Sequence, residues 1–157
     1  MLRVPRQVLV YLFRDLGNGS FEVLLLKRTE KWGAFWQGVS GAPEWEESDA
    51  EGAVREVREE TRFAVEGSLR QIGYRYELWR EDDLDGEQWE RVYGPEVRAI
   101  PEEVYVAVVP NDVDPVLAPD EHDAFKWCSV EEAMELLKWE NNRGALIAAH
   151  EFVRDDL

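Results

Sequence analysis

Three glutamates, Glu56, Glu59 and Glu60, lie within five residues of a chain whose formal net charge is already −16. In a helix, side chains three and four residues apart lie side by side, so these carboxylates are expected to form one exposed acidic face. Clustered carboxylate oxygens are the ligands that hard divalent cations such as Mg²⁺ prefer. The alternative is a solvated helix surface on which Glu51 and Glu59 form ordinary ion pairs with Arg55.

The loop before this cluster carries further residues at a fixed spacing. Gly41 precedes Glu47 by six residues, Arg55 follows Glu47 by eight, and the run "REVREE" ends at Glu60. This combination of glycine, arginine and glutamates resembles the Nudix box. That box is the loop–helix motif of hydrolases that cleave nucleoside diphosphates linked to another moiety. The resemblance implies a metal-dependent hydrolase of phosphoanhydride bonds.

The resemblance also implies a role for each acidic side chain. Glu56 and Glu60 would be the main ligands of Mg²⁺ or Mn²⁺, and Glu59 would be a third ligand or would orient the attacking water. Glu47 would hold Arg55, and this pair would brace the loop against the helix from outside the metal's own ligands. Glu47 and Arg55 would therefore support catalysis without contacting the substrate.

Two features lie at the edges of the motif. The carbonyl of Ser40 matches a position that often contacts the metal. Arg62 stands where the box usually has glycine, and a left-handed backbone there would cost a non-glycine residue about 1 kcal/mol. The basic side chains Arg55, Arg58 and Arg62 are expected on the flank of the helix opposite the glutamates.

Similarity to the family extends beyond the box. Four stretches resemble the bacterial dihydroneopterin triphosphate pyrophosphohydrolases within it: "FWQGVSGA" (35–42), "RVYGPEV" near Tyr93, "EHDAFKW" (121–127) and "NNRGAL" (141–146). The resemblance implies that Glu121 completes the metal site from a loop opposite the helix and takes part in catalysis. It favours dihydroneopterin triphosphate, or a nucleoside triphosphate of similar shape, as the substrate, with release of pyrophosphate.

Further residues are candidates for binding the substrate, and each has a structural alternative. Cationic and aromatic side chains suit phosphates and rings, but the same side chains also pack beneath loops, satisfy backbone groups or cap helices. The candidates are Trp36, Gln37, Lys27, Arg28, Arg91, Tyr93, His122 and Arg143.

Other functions remain compatible with the motif. A Nudix hydrolase of nucleotide sugars or dinucleoside polyphosphates would use the same acidic cluster, because selectivity lies outside the box. A nucleotide-sensing module that has lost turnover would often have a degraded motif, whereas Arg55, Glu56, Glu59 and Glu60 are all present. A plain acidic structural domain would require the spacing to be accidental.

Hydrophobic periodicity predicts the elements that position these residues. Strands are predicted at 7–15 and 21–29, joined by a turn at 16–20, and a third at 35–41. A helix follows at 48–61, with Ser48 as N-cap and Glu51 completing a capping box. Further strands are predicted at 67–79, 102–110 and 123–130, and helices at 131–139 and 142–155. This order predicts an α+β protein with the Nudix fold, in which a mixed sheet is packed between helices as an α/β/α sandwich.

Composition limits the remaining possibilities. The 157 residues suit one domain spanning 1–157, and the single Cys128 suits a reducing compartment. The acidic balance argues against binding nucleic acid, and no apolar run is long enough to cross a membrane. We therefore expect a cytoplasmic monomer or homodimer that binds a small polyphosphate substrate.

Overall fold

The computed structural model describes residues 2–83 and 85–156. Its strands are β1 (Gln7–Gly17), β2 (Ser20–Arg28), β3 (Trp36–Gln37), β4 (Val39–Gly41), β5 (Arg70–Trp79), β6 (Ala99–Val109) and β7 (His122–Cys128). Its α-helices are α1 (Asp49–Thr61), α2 (Gly86–Tyr93), α3 (Val130–Leu136) and α4 (Glu140–Asp156). Two short 3₁₀ helices, Glu30–Trp32 and Arg80–Asp82, follow β2 and β5.

The strands form one mixed sheet. β1 runs parallel to β6, and every other pairing in the sheet is antiparallel. The main order is β3-β2-β1-β6-β5, with β4 paired to β1 and β7 paired to β2. The β1–β2 hairpin and the remaining predicted strands are confirmed in outline, although β6 begins three residues earlier than its apolar pattern suggested.

The predicted strand at 35–41 is two short strands rather than one. β3 pairs with β2, whereas β4 pairs with β1, so the chain changes partners at Gly38. A Cβ at Gly38 would lie 2.9 Å from the Val10 carbonyl oxygen, which explains why glycine occupies the crossing point. The two strands thus bring Gln37, Ser40 and Gly41 to the place where β1 and β2 separate.

Both faces of β1 are covered by helices. Val8, Val10 and Leu12 pack in one core cluster with Ala53 and Val57 of α1. Their neighbours Leu9, Tyr11 and Phe13 pack in a second cluster with Ala145, Leu146 and Ala149 of α4. A strand buried on both faces reads as a continuous apolar run, as β1 does. The predicted α/β/α sandwich is confirmed.

Helix α1 begins and ends as its sequence indicates. The Ser48 side chain accepts a hydrogen bond from the Glu51 backbone N–H, and the Glu51 side chain accepts one from the Ser48 backbone N–H. At the other end Arg62 has φ 70° and ψ 2°, a left-handed conformation. The position therefore keeps the geometry that suits glycine, and Arg62 carries the associated cost.

Helix α2 was not predicted from the sequence. Asp85 caps it by accepting a hydrogen bond from the Gln88 backbone N–H, and its buried side chains are Trp89 and Tyr93. The i,i+4 spacing of these two aromatic residues is the signal that could have revealed it. Within the part of the chain that the structure describes, no helix is long and apolar enough to cross a membrane.

Candidate active site

Glu56 lies directly against β4. A Cβ built on Gly41 would lie 2.3 Å from Cδ of Glu56 and 2.6 Å from each of its carboxylate oxygens. Any side chain at position 41 would therefore displace this carboxylate. The glycine in the motif is required by the close approach of the helix and the strand.

Arg55 links the loop to the helix. Its Nε donates to Glu47 Oε2 at 2.9 Å, and its Nη2 donates to Glu47 Oε1 at 2.9 Å and to the Ala42 carbonyl oxygen at 3.1 Å. The hydrogen bonds from Arg55 hold the pKa of Glu47 below its ordinary value. Glu47 also accepts from the Glu44 backbone N–H at 2.8 Å. The guanidinium and the Glu47 carboxylate thus connect helix α1 to two points of the loop.

The position of Arg55 corrects one expectation. Its Nη1 lies 3.1 Å from Glu56 Oε1 and 3.3 Å from both Glu59 oxygens, so it shares the side of the glutamates. The predicted placement on the opposite flank is wrong for this residue, because the long guanidinium side chain reaches across the helix toward the loop. Arg58 and Arg62 do not join this network, and Arg58 pairs with Glu66.

The three helix glutamates do not share one exposed face. Glu59 exposes 56% of its side chain, Glu56 exposes 14%, and Glu60 is buried, with 2% of the residue exposed. The expectation of a uniformly exposed acidic surface is therefore wrong, because β7 and the loop before it cover the end of the cluster. Burial raises the pKa of Glu56 and raises that of Glu60 further, since Glu56 and Glu121 add like charge.

Glu121 approaches Glu60 from the loop that precedes β7. The loop is fixed by backbone hydrogen bonds from Glu121 N–H to the Ala118 carbonyl oxygen and from Thr29 N–H to the Glu121 carbonyl oxygen. One ligand atom from each of Glu60, Glu121 and His122 lies within 4.8 Å of the others. Two chain segments 61 residues apart therefore converge on one acidic centre.

His122 lies behind this centre and is fully buried. Its Nε2 is 3.0 Å from the Gln37 side-chain nitrogen, and its Nδ1 is 3.8 Å from Glu60 Oε1. Burial and the nearby Arg28 guanidinium lower the pKa of His122 to about 4, so the ring is neutral at neutral pH. Because the Gln37 amide nitrogen donates, Nε2 accepts and the ring proton lies on Nδ1, toward Glu60.

Buried polar atoms that lack a hydrogen-bond partner lie around Glu60 in the part of the chain that the structure describes. Among the described residues, Glu60 Oε1, His122 Nδ1 and Arg28 Nε are buried and accept or donate no hydrogen bond. Buried polar groups in folded proteins are nearly always satisfied, so such a concentration indicates a binding function. The oxygens of Glu56, Glu60 and Glu121 fit a hard divalent cation, which would also relieve the repulsion among them.

A cavity of about 1050 Å³ opens beside these carboxylates. Glu56, Glu121 and Ser40 line it, together with the cations Arg3 and Arg28. Four exposed tryptophans of the described chain also line it: Trp32, Trp45, Trp79 and Trp139. The sequence offered only the high tryptophan count as a signal for these residues, since their convergence depends on the fold.

The candidate substrate-binding residues fall into two groups. Gln37, Arg28 and Tyr93 line the cavity. Trp36 instead packs against the core, and Arg143 donates to the Leu137 carbonyl oxygen. The other candidates outside the wall are Lys27, which pairs with β3 and β7; Arg91, which bonds Gln88; and His122, which is buried. For Trp36, Arg143, Arg91 and His122, the structure favours the structural alternative over direct contact with a substrate. Backbone pairing does not engage the side chain of Lys27, which stays a candidate.

One buried acid on the cavity wall was not singled out in the sequence. Glu102 of β6 is 3% exposed and accepts hydrogen bonds from Tyr76 and Gln7. Its only sequence signal is a pair of glutamates within an otherwise apolar strand. Strand alternation turns one of that pair, Glu102, toward the cavity face.

A family model described as the NUDIX domain matches residues 3–149. The chain is 27% identical over 146 residues to the dihydroneopterin triphosphate diphosphatase of Haemophilus influenzae, covering 90% of this chain and 84% of that protein. It is 28% identical over 147 residues to the asymmetrical bis(5'-nucleosyl)-tetraphosphatase of Mus musculus, covering 91% and 88%. These two relatives are matched over most of their lengths.

A third relative is matched only in part. The chain is 35% identical over 121 residues to an octanoyltransferase of Myxococcus xanthus, covering 77% of this chain but 30% of that protein. Among solved structures, the dihydroneopterin triphosphate pyrophosphohydrolase of E. coli superposes with a TM-score of 0.74 at 27% identity. That alignment covers 93% of this chain and 94% of the other.

Proposed function

Since the chain belongs to the Nudix hydrolase family and is a hydrolase of phosphoanhydride bonds, we propose that it cleaves a nucleoside-triphosphate-like substrate with release of pyrophosphate. Dihydroneopterin triphosphate is the favoured substrate. The observation that carries the proposal is the convergence of Glu60 and Glu121, with Glu56 hydrogen-bonded to Glu60, beside a cavity lined by exposed tryptophans.

Glu56, Glu60 and Glu121 would hold a divalent cation, Mg²⁺ or Mn²⁺, with the Ser40 carbonyl and Glu59 as further candidate ligands. When bound, the cation supplies charge neutralisation for the phosphates and makes phosphorus more electrophilic. Support comes from the donor set, which consists of carboxylate oxygens, and from the unpaired Glu60 Oε1. The chain itself offers few cations here, since Arg3 and Arg28 are the only basic residues among those described on the cavity wall.

The protein's own groups would position and deprotonate the attacking water. Glu59 and Glu121 are the candidates for accepting a proton from the water, because each is near the cluster and neither is as deeply buried as Glu60. Arg28 lies beside Glu60 and His122, where its guanidinium could bind a phosphate oxygen. Arg55 and Glu47 would act indirectly by holding the loop that follows Gly41 against the helix.

The aromatic lining supports a substrate that carries a planar ring. Phe35 and Trp139 meet edge to face with their ring centroids 4.6 Å apart, and Trp32 is also exposed to the cavity. Exposed aromatic rings offer stacking surfaces for a pterin or a nucleobase at low entropic cost. A sugar has no aromatic ring and would make fewer stacking contacts with these side chains.

A second candidate is hydrolysis of dinucleoside polyphosphates, and nucleotide sugars form a further alternative of the same class. The similarity to the mouse tetraphosphatase favours the first of these. The cavity volume of about 1050 Å³ is large for one nucleoside, which also suits a longer substrate. The third alternative, a nucleotide-sensing module, would bind such ligands without turnover.

A substrate panel with defined products tests the proposal. Purified protein with Mg²⁺ would be given dihydroneopterin triphosphate, nucleoside triphosphates, nucleotide sugars and dinucleoside tetraphosphates, and pyrophosphate, phosphate and nucleotide products would be quantified. We expect the highest kcat/KM with dihydroneopterin triphosphate, with pyrophosphate as product and no turnover in a chelator. Binding without turnover of any compound would instead identify a sensing module.

A further inference from the structure

Glu102 lies in a row of polar side chains that crosses the sheet. Gln7 Nε2 donates to Glu102 Oε2 at 2.6 Å and to Ser40 Oγ at 3.0 Å, which connects β6 through β1 to β4. On the other side, Tyr76 of β5 donates to Glu102 Oε1. Ser40, Gln7 and Glu102 all line the cavity. The row therefore forms part of the surface on which a ligand would lie.

This row starts at the proposed metal site. Ser40 immediately precedes Gly41, which lies against the Glu56 carboxylate. Glu102 is two strands away from Ser40, but Gln7 Nε2 bonds both side chains, at 3.0 Å from Ser40 Oγ and 2.6 Å from Glu102 Oε2. The polar groups that follow Glu56 along the cavity wall are therefore Ser40, Gln7 and Glu102. With phosphates at Glu56, Glu102 lies where a ring edge would reach the wall.

Gln7 and Tyr76 both donate hydrogen bonds to the Glu102 carboxylate. Asn142 Nδ2 donates to the Tyr76 hydroxyl oxygen at 3.2 Å, which leaves the Tyr76 proton for Glu102 Oε1. Each carboxylate oxygen thus accepts one bond and retains a second lone pair. The hydrogen bonds from Tyr76 and Gln7 favour the ionised carboxylate against the effect of burial on its pKa, and that form has no proton to donate. Glu102 is therefore an acceptor for neighbouring donors on a ligand.

Among residues 2–83 and 85–156, no positively charged group bonds the Glu102 carboxylate. Its partners among the described residues are the neutral Tyr76 and Gln7, and burial raises the pKa of Glu102 above its ordinary value. A buried carboxylate held only by neutral donors is costly. Such a group is more simply explained as a ligand-recognition group than as a contribution to stability.

We propose that Glu102 selects the ring of the substrate by accepting hydrogen bonds from an edge that carries two adjacent N–H donors. This edge is the 2-amino-4-oxopyrimidine of pterins and guanine, so the substrate class is pterin or guanine triphosphates. The inference rests on the proposed function for the placement of the phosphates. It adds Glu102 as the residue that recognises the ring, and the edge with two adjacent N–H donors as the group that it recognises.

Two adjacent N–H donors distinguish the rings of pterin and guanine triphosphates from those of the other nucleotides. Guanine presents N1–H and the 2-amino group side by side, and pterin presents N3–H and its 2-amino group in the same way. Adenine and cytosine place a ring acceptor beside their amino group, and in uracil N3–H lies between two carbonyls. A carboxylate that only accepts hydrogen bonds can bond both donors of guanine or pterin. Against adenine, cytosine or uracil it would face an acceptor beside the donor.

Binding to the unaltered protein provides the first test. The α,β-methylene triphosphates of guanosine, inosine and adenosine would be titrated with Mg²⁺ present, using calorimetry or the fluorescence of the cavity tryptophans. We expect Kd to rise at least about 10-fold from guanosine to adenosine, with inosine, which lacks the 2-amino group, between them. Equal affinities for guanosine and inosine analogues would overturn the proposal without any variant.

A matched pair of variants provides the second test. Glu102→Gln removes one acceptor and adds a donor, so the preference for guanosine over adenosine should fall at least about 10-fold. Glu103→Gln makes the same chemical change at the next residue, which faces Val8 on the side of α1, and should leave the preference unchanged. Equal losses for all nucleotides in Glu102→Gln would show a structural role only.

The same measurements distinguish this inference from the proposed catalytic activity. If the protein binds the guanosine analogue selectively, and loses that selectivity in Glu102→Gln, the inference stands even where no substrate is hydrolysed. If turnover is found but the ring preference is absent, the catalytic proposal stands and the assignment of Glu102 is wrong.

Discussion

The Glu60 carboxylate faces the His122 imidazole inside the protein, with Oε1 and Nδ1 3.8 Å apart. Neither atom has a hydrogen-bond partner among the described residues. The imidazole is neutral, because burial and the nearby Arg28 guanidinium lower its pKa to about 4, so it does not compensate a charge on Glu60. A buried carboxylate facing a neutral ring is the expected state of a ligand that becomes stable only when a cation binds.

The first prediction concerns the two buried helix acids. Glu60→Gln and Glu56→Gln should each lower Mg²⁺-dependent kcat/KM by more than about 100-fold, because losing outer partners of a metal alone costs about 10- to 100-fold. Glu151→Gln, an exposed change on α4, serves as the control and should retain activity. Steady-state kinetics and Mg²⁺ titration would measure both effects. Full activity in Glu60→Gln would refute the metal site.

The second prediction concerns pH and the stability of metal-free protein. Burial raises the pKa of Glu60 well above 4.5, so the folded state favours the protonated form. The stability that this shift contributes is present below the pKa that Glu60 has in the unfolded chain. It is lost as pH rises through the pKa that Glu60 has in the folded protein. Without metal, Tm should therefore fall over this range in the wild type and fall less in Glu60→Gln. Glu59→Gln, at an exposed position, should follow the wild type; an identical pH profile for all three would contradict the assignment.

The third prediction concerns the brace between Arg55 and Glu47. Arg55→Ala should lower activity because the loop that follows Gly41 loses its attachment to α1. A double-mutant cycle with Glu47→Ala should give a coupling energy of about 1 kcal/mol or more in the free energy of unfolding. Arg58→Ala removes an exposed arginine of the same helix and should keep activity. Strictly additive losses would show that the two side chains act independently.

The fourth prediction concerns Glu121 and its neighbour. Glu121→Gln should reduce kcat by at least about 100-fold, the lower size of a general acid–base contribution. Asp120→Asn makes the equivalent change at an exposed position and should have little effect. Rates at saturating substrate and Mg²⁺ would separate the two. Small and equal losses would mean that this segment is an ordinary acidic loop.

The fifth prediction concerns the end of α1. Because Arg62 has φ 70°, Arg62→Gly should raise the free energy of unfolding by about 1 kcal/mol, measured by denaturant titration. Arg62→Ala retains the Cβ and removes the rest of the side chain, so it should not produce this gain. A gain in the alanine variant would show that the arginine side chain, rather than its backbone geometry, is unfavourable.

The sequence alone determined the features that depend on neighbours along the chain. The capping box of Ser48 and Glu51 and the β1–β2 hairpin follow from short spacings along the chain, whereas the pairing of Arg55 with Glu47 was implied by the family resemblance. Helical and strand periodicities fix the relative directions of such side chains before any tertiary contact forms. The apolar run of β1 likewise indicated a strand.

Only the tertiary structure decided which of these side chains are buried and what they face. Periodicity grouped Glu56, Glu59 and Glu60, but β7 and its preceding loop bury Glu60 while Glu59 stays exposed. The tryptophans of the cavity come from segments far apart in the chain, and Glu102 is placed opposite its partners by the pairing of β6 with β1 and β5. Burial and electrostatics depend on surroundings supplied by distant segments, and no local spacing encodes them.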